Sequence, residues 1–296
     1  MSHPTAQDGD RRGSSPARTV TVRGLVVAAH APPAALVTAL ACALSVGVGA
    51  GARTTLLVTA AVLAGQLSVG WSNDWIDARR DLAVGRADKP VVAGLVTPTA
   101  LRTAALWALA ACVVLSFATG VVPGLVHLVA VGGAWAYNAG LKSTAWSFVP
   151  YAVSFALLAV FVVLAAPGDA VPAPWAVAAA GLLGAGAHVA NTLPDLDDDA
   201  ATGVRGLPHR LGRRGASVLA PVLLGAAVGV VVLAPSGPPG AAAWVGGGLA
   251  LGAAVVAGLL GVLRPSSRAP FALSMAVAAL CVVLLVLAAP EVAVAA

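Results

Sequence analysis

The sequence predicts an all-α, polytopic membrane protein with about nine transmembrane helices, arranged as two parallel four-helix repeats plus one. Three observations carry this. Of the 296 residues, 59% are hydrophobic and 10% charged, whereas soluble domains hold about 45–50% apolar and about 25% charged residues. The apolar residues fall into nine runs, near 28–49, 54–73, 99–118, 121–139, 146–166, 173–191, 215–234, 241–263 and 270–289. Each run is long enough to cross a hydrocarbon layer that needs about 20 helical residues. An acidic motif with one internal spacing ends the second run and the sixth, 118 residues apart. Ordinary cytosolic globular folds, coiled coils and disordered chains are excluded by this composition.

The first 20 residues are polar and rich in Ser, Pro, Gly and Arg, so 1–20 reads as a disordered cytosolic tail. Residues 21–296 read as one membrane domain with no room for a separate soluble one. The runs are built from Ala, Val, Leu and Gly, and the small residues let helix backbones approach closely in lipid. Pro32, Pro33, Pro123, Pro150 and Pro221 lie near or within runs, where neighbouring helices can satisfy the freed carbonyls. Cys42, Cys112 and Cys281 each lie inside an apolar run and read as small core residues.

The bases set the orientation. With nine spans, 16 of the 17 Lys and Arg residues fall on one face and only Arg53 on the other. That face is therefore cytoplasmic, with the N-terminus inside and the C-terminus outside a cell membrane. The same distribution accounts for the net charge of +5 without a nucleic-acid partner.

Two cytoplasmic loops hold eight of the 12 acidic residues. The first runs Asn73-Asp74-Trp75-Ile76-Asp77-Ala78-Arg79-Arg80-Asp81 and continues to Lys89-Pro90. The second runs Asn191-Thr192-Leu193-Pro194-Asp195-Leu196-Asp197-Asp198-Asp199 and continues through Gly203 and Arg205. Asn73, Asp77 and Asp81 match Asn191, Asp195 and Asp199 at a constant offset, and Gly85 matches Gly203. Spacing at i, i+4 and i+8 predicts that each trio lines one face of a helix. An even number of spans between the motifs keeps both on one side of the membrane. Two carboxylate faces meeting there would repel each other unless a hard cation intervened. Mg²⁺ commonly takes one or two carboxylates together with substrate phosphates. Bases beside the acids, four in 73–90 and four in 191–214, suit anionic oxygens. Arg79, Arg80, Arg213 and Arg214 read equally as positive-inside anchors. A diphosphate site at the mouth of an apolar bundle implies a substrate with a diphosphate head and an apolar tail. Charge growing on the departing diphosphate would be neutralised there, and a dry cavity would keep water from the allylic cation.

These motifs resemble those of the UbiA superfamily of intramembrane prenyltransferases, from about residue 20 to the end of the chain. The resemblance implies Mg²⁺-dependent transfer of a prenyl group, an alkyl group other than methyl, from a prenyl diphosphate to an aromatic or other small acceptor. It implies catalytic and metal-holding roles for Asp77, Asp81, Asp195 and Asp199, with Asn73 as a further metal residue and Asp74 as a helper. Asn73, Arg86, Lys89, Lys142, Asn191 and Arg205 would hold the diphosphate. Tyr137, followed by Lys142, is similar to a Tyr–Lys pair often found after the fourth helix; an interfacial belt residue is the other reading of Tyr137. The family's Arg-Pro or Lys-Pro in helix one is replaced by His30-Ala31-Pro32-Pro33. His30 is thus an acceptor-side residue or a packed histidine. His188, on the helical face of Asn191 and Asp195, contacts acceptor or diphosphate or packs at the span end. His127 reads as structural. Besides membrane lipids, the implied partners are the prenyl diphosphate and the acceptor. A terpene cyclase using the same motifs without acceptor, and an ion or lipid transporter, are the competing expectations.

Overall fold

The computed structural model describes residues 20–87, 89–264 and 266–295. The expected tail over 1–20 lies outside them apart from Val20. The described chain is a helical bundle whose elements follow the apolar runs. A short helix α1 (Val22–Ala28) leads at a 66° bend into α2 (Ala31–Gly47). Then come α3 (Gly51–Val84), α4 (Pro98–Ala118), α5 (Val121–Ala139), a 3₁₀ turn at Leu141–Ser143 and α6 (Val149–Ala165). After α7 (Pro174–Thr192) and the short α8 (Leu196–Ala201) follow α9 (Leu207–Leu233), α10 (Ala241–Leu263) and α11 (Ala269–Leu287).

Each of the nine runs coincides with one helix of 17 to 34 residues. By length and apolarity, six described helices (α3, α4, α5, α9, α10 and α11) can cross a membrane, and the bent α1–α2 pair makes a seventh. The 17-residue α6 is apolar but shorter. Nine described helices thus match the nine runs, and six or seven of them qualify as spans by this measure. In each half the acidic motif lies at the C-terminal end of the second long helix, within α3 in the first and across the end of α7 in the second, with α11 added at the end.

Many large apolar side chains face outward, including Trp107, Val114, Leu249, Val255 and Leu263. In water such a surface would be costly; facing lipid tails it is not. Inside, the main core joins α2, α3, α6, α7, α9, α10 and α11 through Leu44, Val58, Phe161, Leu183, Leu224, Ala250 and Leu285. Several polar groups within the bundle find partners across helices. His127 Nδ1 is 2.7 Å from Ser116 Oγ, and the imidazole stacks on Phe161 at 4.4 Å, in keeping with a structural role.

One feature departs from all-α. Two three-residue strands, β1 (Ala170–Pro172) and β2 (Ala293–Ala295), pair antiparallel with Val171 opposite Val294. The ribbon fastens the chain after α11 to the α6–α7 connection. Three residues are too few to leave a period-2 signal within an apolar sequence.

The helix that matters most for the site is α3. Its 34 residues span about 51 Å at 1.5 Å per residue, well beyond a hydrocarbon layer of about 30 Å. The excess carries the first acidic motif out of the apolar layer as a continuation of the span. Gly85 ends α3 with φ 69°, and its N–H bonds Asp81 O, a left-handed cap that suits glycine. The turn then brings Arg86 and Lys89 back toward the helix they have just left.

Candidate active site

The last three turns of α3 bury Asp74, Asp77 and Asp81, which are 2%, 7% and 1% exposed. Buried carboxylates need partners, and cations from four parts of the chain supply them. Lys89 Nζ, after the Gly85 turn, lies 2.8 Å from Asp74 Oδ1. Lys142 Nζ, from the 3₁₀ turn after α5, donates to both Asp77 oxygens at 2.6 Å. Arg80 Nη2 reaches Asp77 Oδ2 at 3.0 Å, one turn along α3. His30 Nε2 approaches Asp74 Oδ1 at 3.4 Å without hydrogen-bond geometry. Asp81 is served least: Arg80 Nε stands 4.0 Å from Asp81 Oδ1, and neither atom has a hydrogen-bond partner.

His30 occupies the break between α1 and α2 with φ 50° and ψ 55°, a left-handed conformation uncommon outside glycine. The surroundings hold it there. Trp71 Nε1 donates to Leu25 O at 2.9 Å. Gly70 of α3 lies so close to Ala29 O that a Cβ would collide with it.

The second motif is built differently. The expected single helical face is broken: α7 ends at Thr192, Asp195 caps α8, and only Asp199 lies within that short helix. Pro194 is the cause, since it lacks an N–H and its ring clashes with the carbonyl four residues earlier. Asn191 and Asp195 are exposed and Asp199 partly so. Arg213 straps the break, donating to Leu193 O at 2.9 Å and to Asp197 at 2.8 Å. Asp199 joins the two motifs, with Oδ1 at 3.9 Å from Arg86 Nη1 and Oδ2 at 3.8 Å from His209 Nε2. Burial raises the Asp199 carboxyl above its ordinary pKa, and Asp195 adds to this; His209, Arg80 and Arg86 oppose it. Burial likewise lowers the Lys142 ammonium from its ordinary value, despite Asp77 beside it.

On the bundle side of the acids lie the chain's two tyrosines. Tyr137 of α5, Tyr151 of α6 and His188 of α7 form a ring cluster with centroids 4.9–5.6 Å apart. Gly184 packs its bare backbone on the Tyr151 carbonyl, where a Cβ would not fit; this brings His188, one turn on, against both rings. Ser147 Oγ lies 3.0 Å from His188 Nε2 and accepts from Leu207 N–H at 2.9 Å.

The expected residues are therefore brought together unevenly. Asp77, Asp81, Lys142, Arg86 and Asp199 share one end of the bundle, and Tyr137 is within electrostatic reach of Asp77 and Asp199. Lys89 is engaged with Asp74. Asn73, Asn191, Asp195 and Arg205 make no side-chain hydrogen bond to the others among the described residues. Arg80, read from sequence as either an anchor or an anion binder, is a central cation. Tyr151, Ser147 and His209 went unassigned. Tyr151 was findable as the second of two tyrosines and His209 by its nearness to Arg205; Ser147 gave no signal. Among the described residues, no three His, Cys, Asp or Glu side chains lie close enough to hold a metal by themselves.

Fold and site together define a polytopic helical membrane protein with two acidic motifs and their bases at one end of the bundle. The UbiA prenyltransferase family profile matches residues 34–280, and the chain belongs to that family. It is 32% identical over 192 residues to a 4-hydroxybenzoate octaprenyltransferase of Ralstonia nicotianae, a match covering 63% of this chain and 61% of that relative's length. A UbiA homologue from Archaeoglobus fulgidus bound to GPP and Mg²⁺ superposes with TM-score 0.66 at 16% identity, over 91% of this chain and 100% of the other. The apo structure of a UbiA homologue from Aeropyrum pernix K1 gives 0.62 at 20% identity, over 91% and 99%.

Proposed function

We propose that this protein transfers a prenyl group from a prenyl diphosphate to a small acceptor, an aromatic one by the likeness to the Ralstonia relative. The observation that carries this reading is the convergence of Asp77, Asp81 and Asp199 with Lys142, Arg80 and Arg86 at one end of an apolar bundle. With the N-terminus inside, that end faces the cytoplasm.

Mg²⁺ fits the donor set. Asp81 Oδ1 is buried without a hydrogen-bond partner, an orphan that a cation would satisfy. A preformed trio of acids is unnecessary where substrate phosphates supply the remaining ligands. Asn73, Asp77, Asp81, Asp195 and Asp199 would hold the ion, which when bound neutralises charge on the departing diphosphate.

The chain's own residues do the rest. Lys142, Arg86 and Arg80, with Lys89, bind the diphosphate oxygens. Lys142 is already desolvated, so its charge acts in a weakly screened site. The carbon–oxygen bond breaks with its electron pair leaving on the diphosphate. The apolar ends of α5, α6 and α7 keep water from the allylic cation, and the faces of Tyr137 and Tyr151 steady it. A nucleophilic atom of the acceptor then forms the new bond to the prenyl carbon, and the proton it gives up leaves on the released diphosphate or on water. His188, fixed by Ser147, and His30, held beside Asp74, border the acceptor.

The test is to incubate the purified protein with Mg²⁺ and labelled geranylgeranyl diphosphate, with and without aromatic acceptors. The Asp77→Ala, Asp195→Ala double variant is the blank. Label should move to an acceptor only when one is present and only in the wild type. A cyclic terpene formed without acceptor would replace this reading with a cyclase. Activity surviving in the double variant would overturn the site.

A further inference from the structure

Beside Asp199, at the chain that follows it, lies a cavity of about 420 Å³ lined by Ala200, Arg205, His209 and Arg210. His209 is its unusual member. Its side chain is only 6% exposed, yet neither ring nitrogen has a hydrogen-bond partner. The nearest acid atom, Asp199 Oδ2, is 3.8 Å from Nε2, beyond hydrogen-bond length. Buried polar atoms are almost always satisfied, so an imidazole left unpaired at a cavity wall points to a ligand absent from the protein itself. The other polar walls name its charge. Arg205 and Arg210 are exposed guanidinium groups, and Arg210 Nε bonds only the Arg205 carbonyl at 3.3 Å. Two guanidinium forks and an imidazole donor suit phosphoryl oxygens. Asp199, of like charge to such an anion, links the cavity wall to the first motif's turn, with Oδ2 3.8 Å from His209 Nε2 and Oδ1 3.9 Å from Arg86 Nη1.

We propose that the Arg205–His209–Arg210 cavity is a second phosphate subsite, separate from the place where the prenyl diphosphate is ionised. Two sources offer the same chemistry: the inorganic diphosphate released by the reaction, and a phosphate carried by the acceptor. The choice of ligand rests on the function proposed above; the existence of an anion site does not.

The test uses the full chain in nanodiscs with Mg²⁺. The donor site is first saturated with a non-ionising prenyl thiolodiphosphate, and inorganic diphosphate is then titrated by calorimetry and ³¹P NMR. A second binding event is expected. His209→Gln and Arg210→Ala should each weaken it about ten- to hundredfold, the value of one charge-assisted hydrogen bond. Thiolodiphosphate affinity should stay within about twofold in Arg210→Ala, a change too small to represent one lost hydrogen bond. In a parallel arm glycerol 3-phosphate replaces diphosphate. Its binding at equal or higher affinity assigns the subsite to an acceptor phosphate, and diphosphate alone assigns it to the leaving product. No second event in the wild type, or one that both variants leave intact, overturns the subsite. Equal loss of thiolodiphosphate affinity in Arg210→Ala also overturns it, because the cavity is then part of the donor site. Failure of the wild type to bind thiolodiphosphate counts against the proposed function instead, and the diphosphate titration of wild type and variants still decides the subsite.

Discussion

At the first acidic motif the backbone runs on as one helix; at the second it breaks. The two share Asn-x-x-x-Asp-x-x-x-Asp and a following glycine at one offset, and the same offset sets Ile76 against Pro194. Ile76 lets α3 continue to Val84, whereas Pro194 stops α7 at Thr192 and starts α8 at Leu196. The first motif consequently keeps its acids buried on a rigid rod, each facing a cation. The second turns Asn191 and Asp195 outward and leaves only Asp199 near the shared cluster. Equal spacing in sequence is thus unequal placement in space. One half is an assembled, charge-compensated floor and the other an open edge held by a strap. A further contrast is Arg80, whose counterpart is Asp198; the internal cation of the first motif has no equivalent in the second.

The largest effect is expected at Asp77. Asp77→Ala leaves Lys142 buried and unpaired, and prenyl transfer to acceptor should fall by about 10²–10³-fold or more, measured as label transferred per minute. The matching change at exposed Asp195 should leave thermal stability closer to wild type, because no buried cation loses its partner. Next comes the exchange of the distinguishing residue. Ile76→Pro inserts a break into α3 and should cost about 3 kcal/mol, read as a lower melting temperature in detergent with loss of activity. Pro194→Ala removes the break in α7; the protein should remain folded while transfer drops, and a stability loss as large as that of Ile76→Pro would refute the asymmetry.

Acid sensitivity sharpens the contrast at a smaller scale. Burial and Asp195 raise the Asp199 carboxyl, opposed by His209, Arg80 and Arg86. A raised carboxyl favours the protonated folded state. Its contribution to stability is therefore full below the ordinary carboxylate range and is lost as pH rises through the raised value. Cation binding to the same oxygen runs the other way and strengthens over that interval. Asp199→Asn should flatten both the stability slope and the acid limb of Mg²⁺ affinity; an unchanged acid limb would show that another group sets it. The least effect is expected at the strap. Asp197 is exposed, so its pair with Arg213 contributes about 0–1 kcal/mol, and Arg213→Ala should shift the melting temperature slightly while raising the KM for prenyl diphosphate more than it lowers kcat.

Much of the architecture was legible because its signals are local. Nine apolar runs became nine helices, since burying backbone polar groups in lipid leaves a helix little alternative. By length and apolarity six or seven described helices qualify as spans, because α6 is short, α7 is long enough but less apolar, and α2 needs its bent partner. The spacing of Asn191, Asp195 and Asp199 reads as one helical face, but Pro194 overrides it, ending α7 at Thr192 before α8 begins at Leu196. The β1–β2 ribbon was invisible because strand pairing between residues 170–172 and 293–295 depends on a contact across the whole chain.

What the sequence determined by itself was the solvent, the fold class and the chemistry of the motifs: hydropathy selects lipid, and two spaced sets of carboxylates with nearby bases select a cation and an anionic headgroup. The tertiary structure alone decided which base meets which acid. Lys142 reaches Asp77 from 65 residues away, Arg86 crosses from one motif to Asp199, and the ring nitrogens of His209 are buried without a hydrogen-bond partner. Those pairings follow from helix packing around small residues and from one proline's missing N–H, and electrostatic attraction acts on distance in space without regard to distance along the chain.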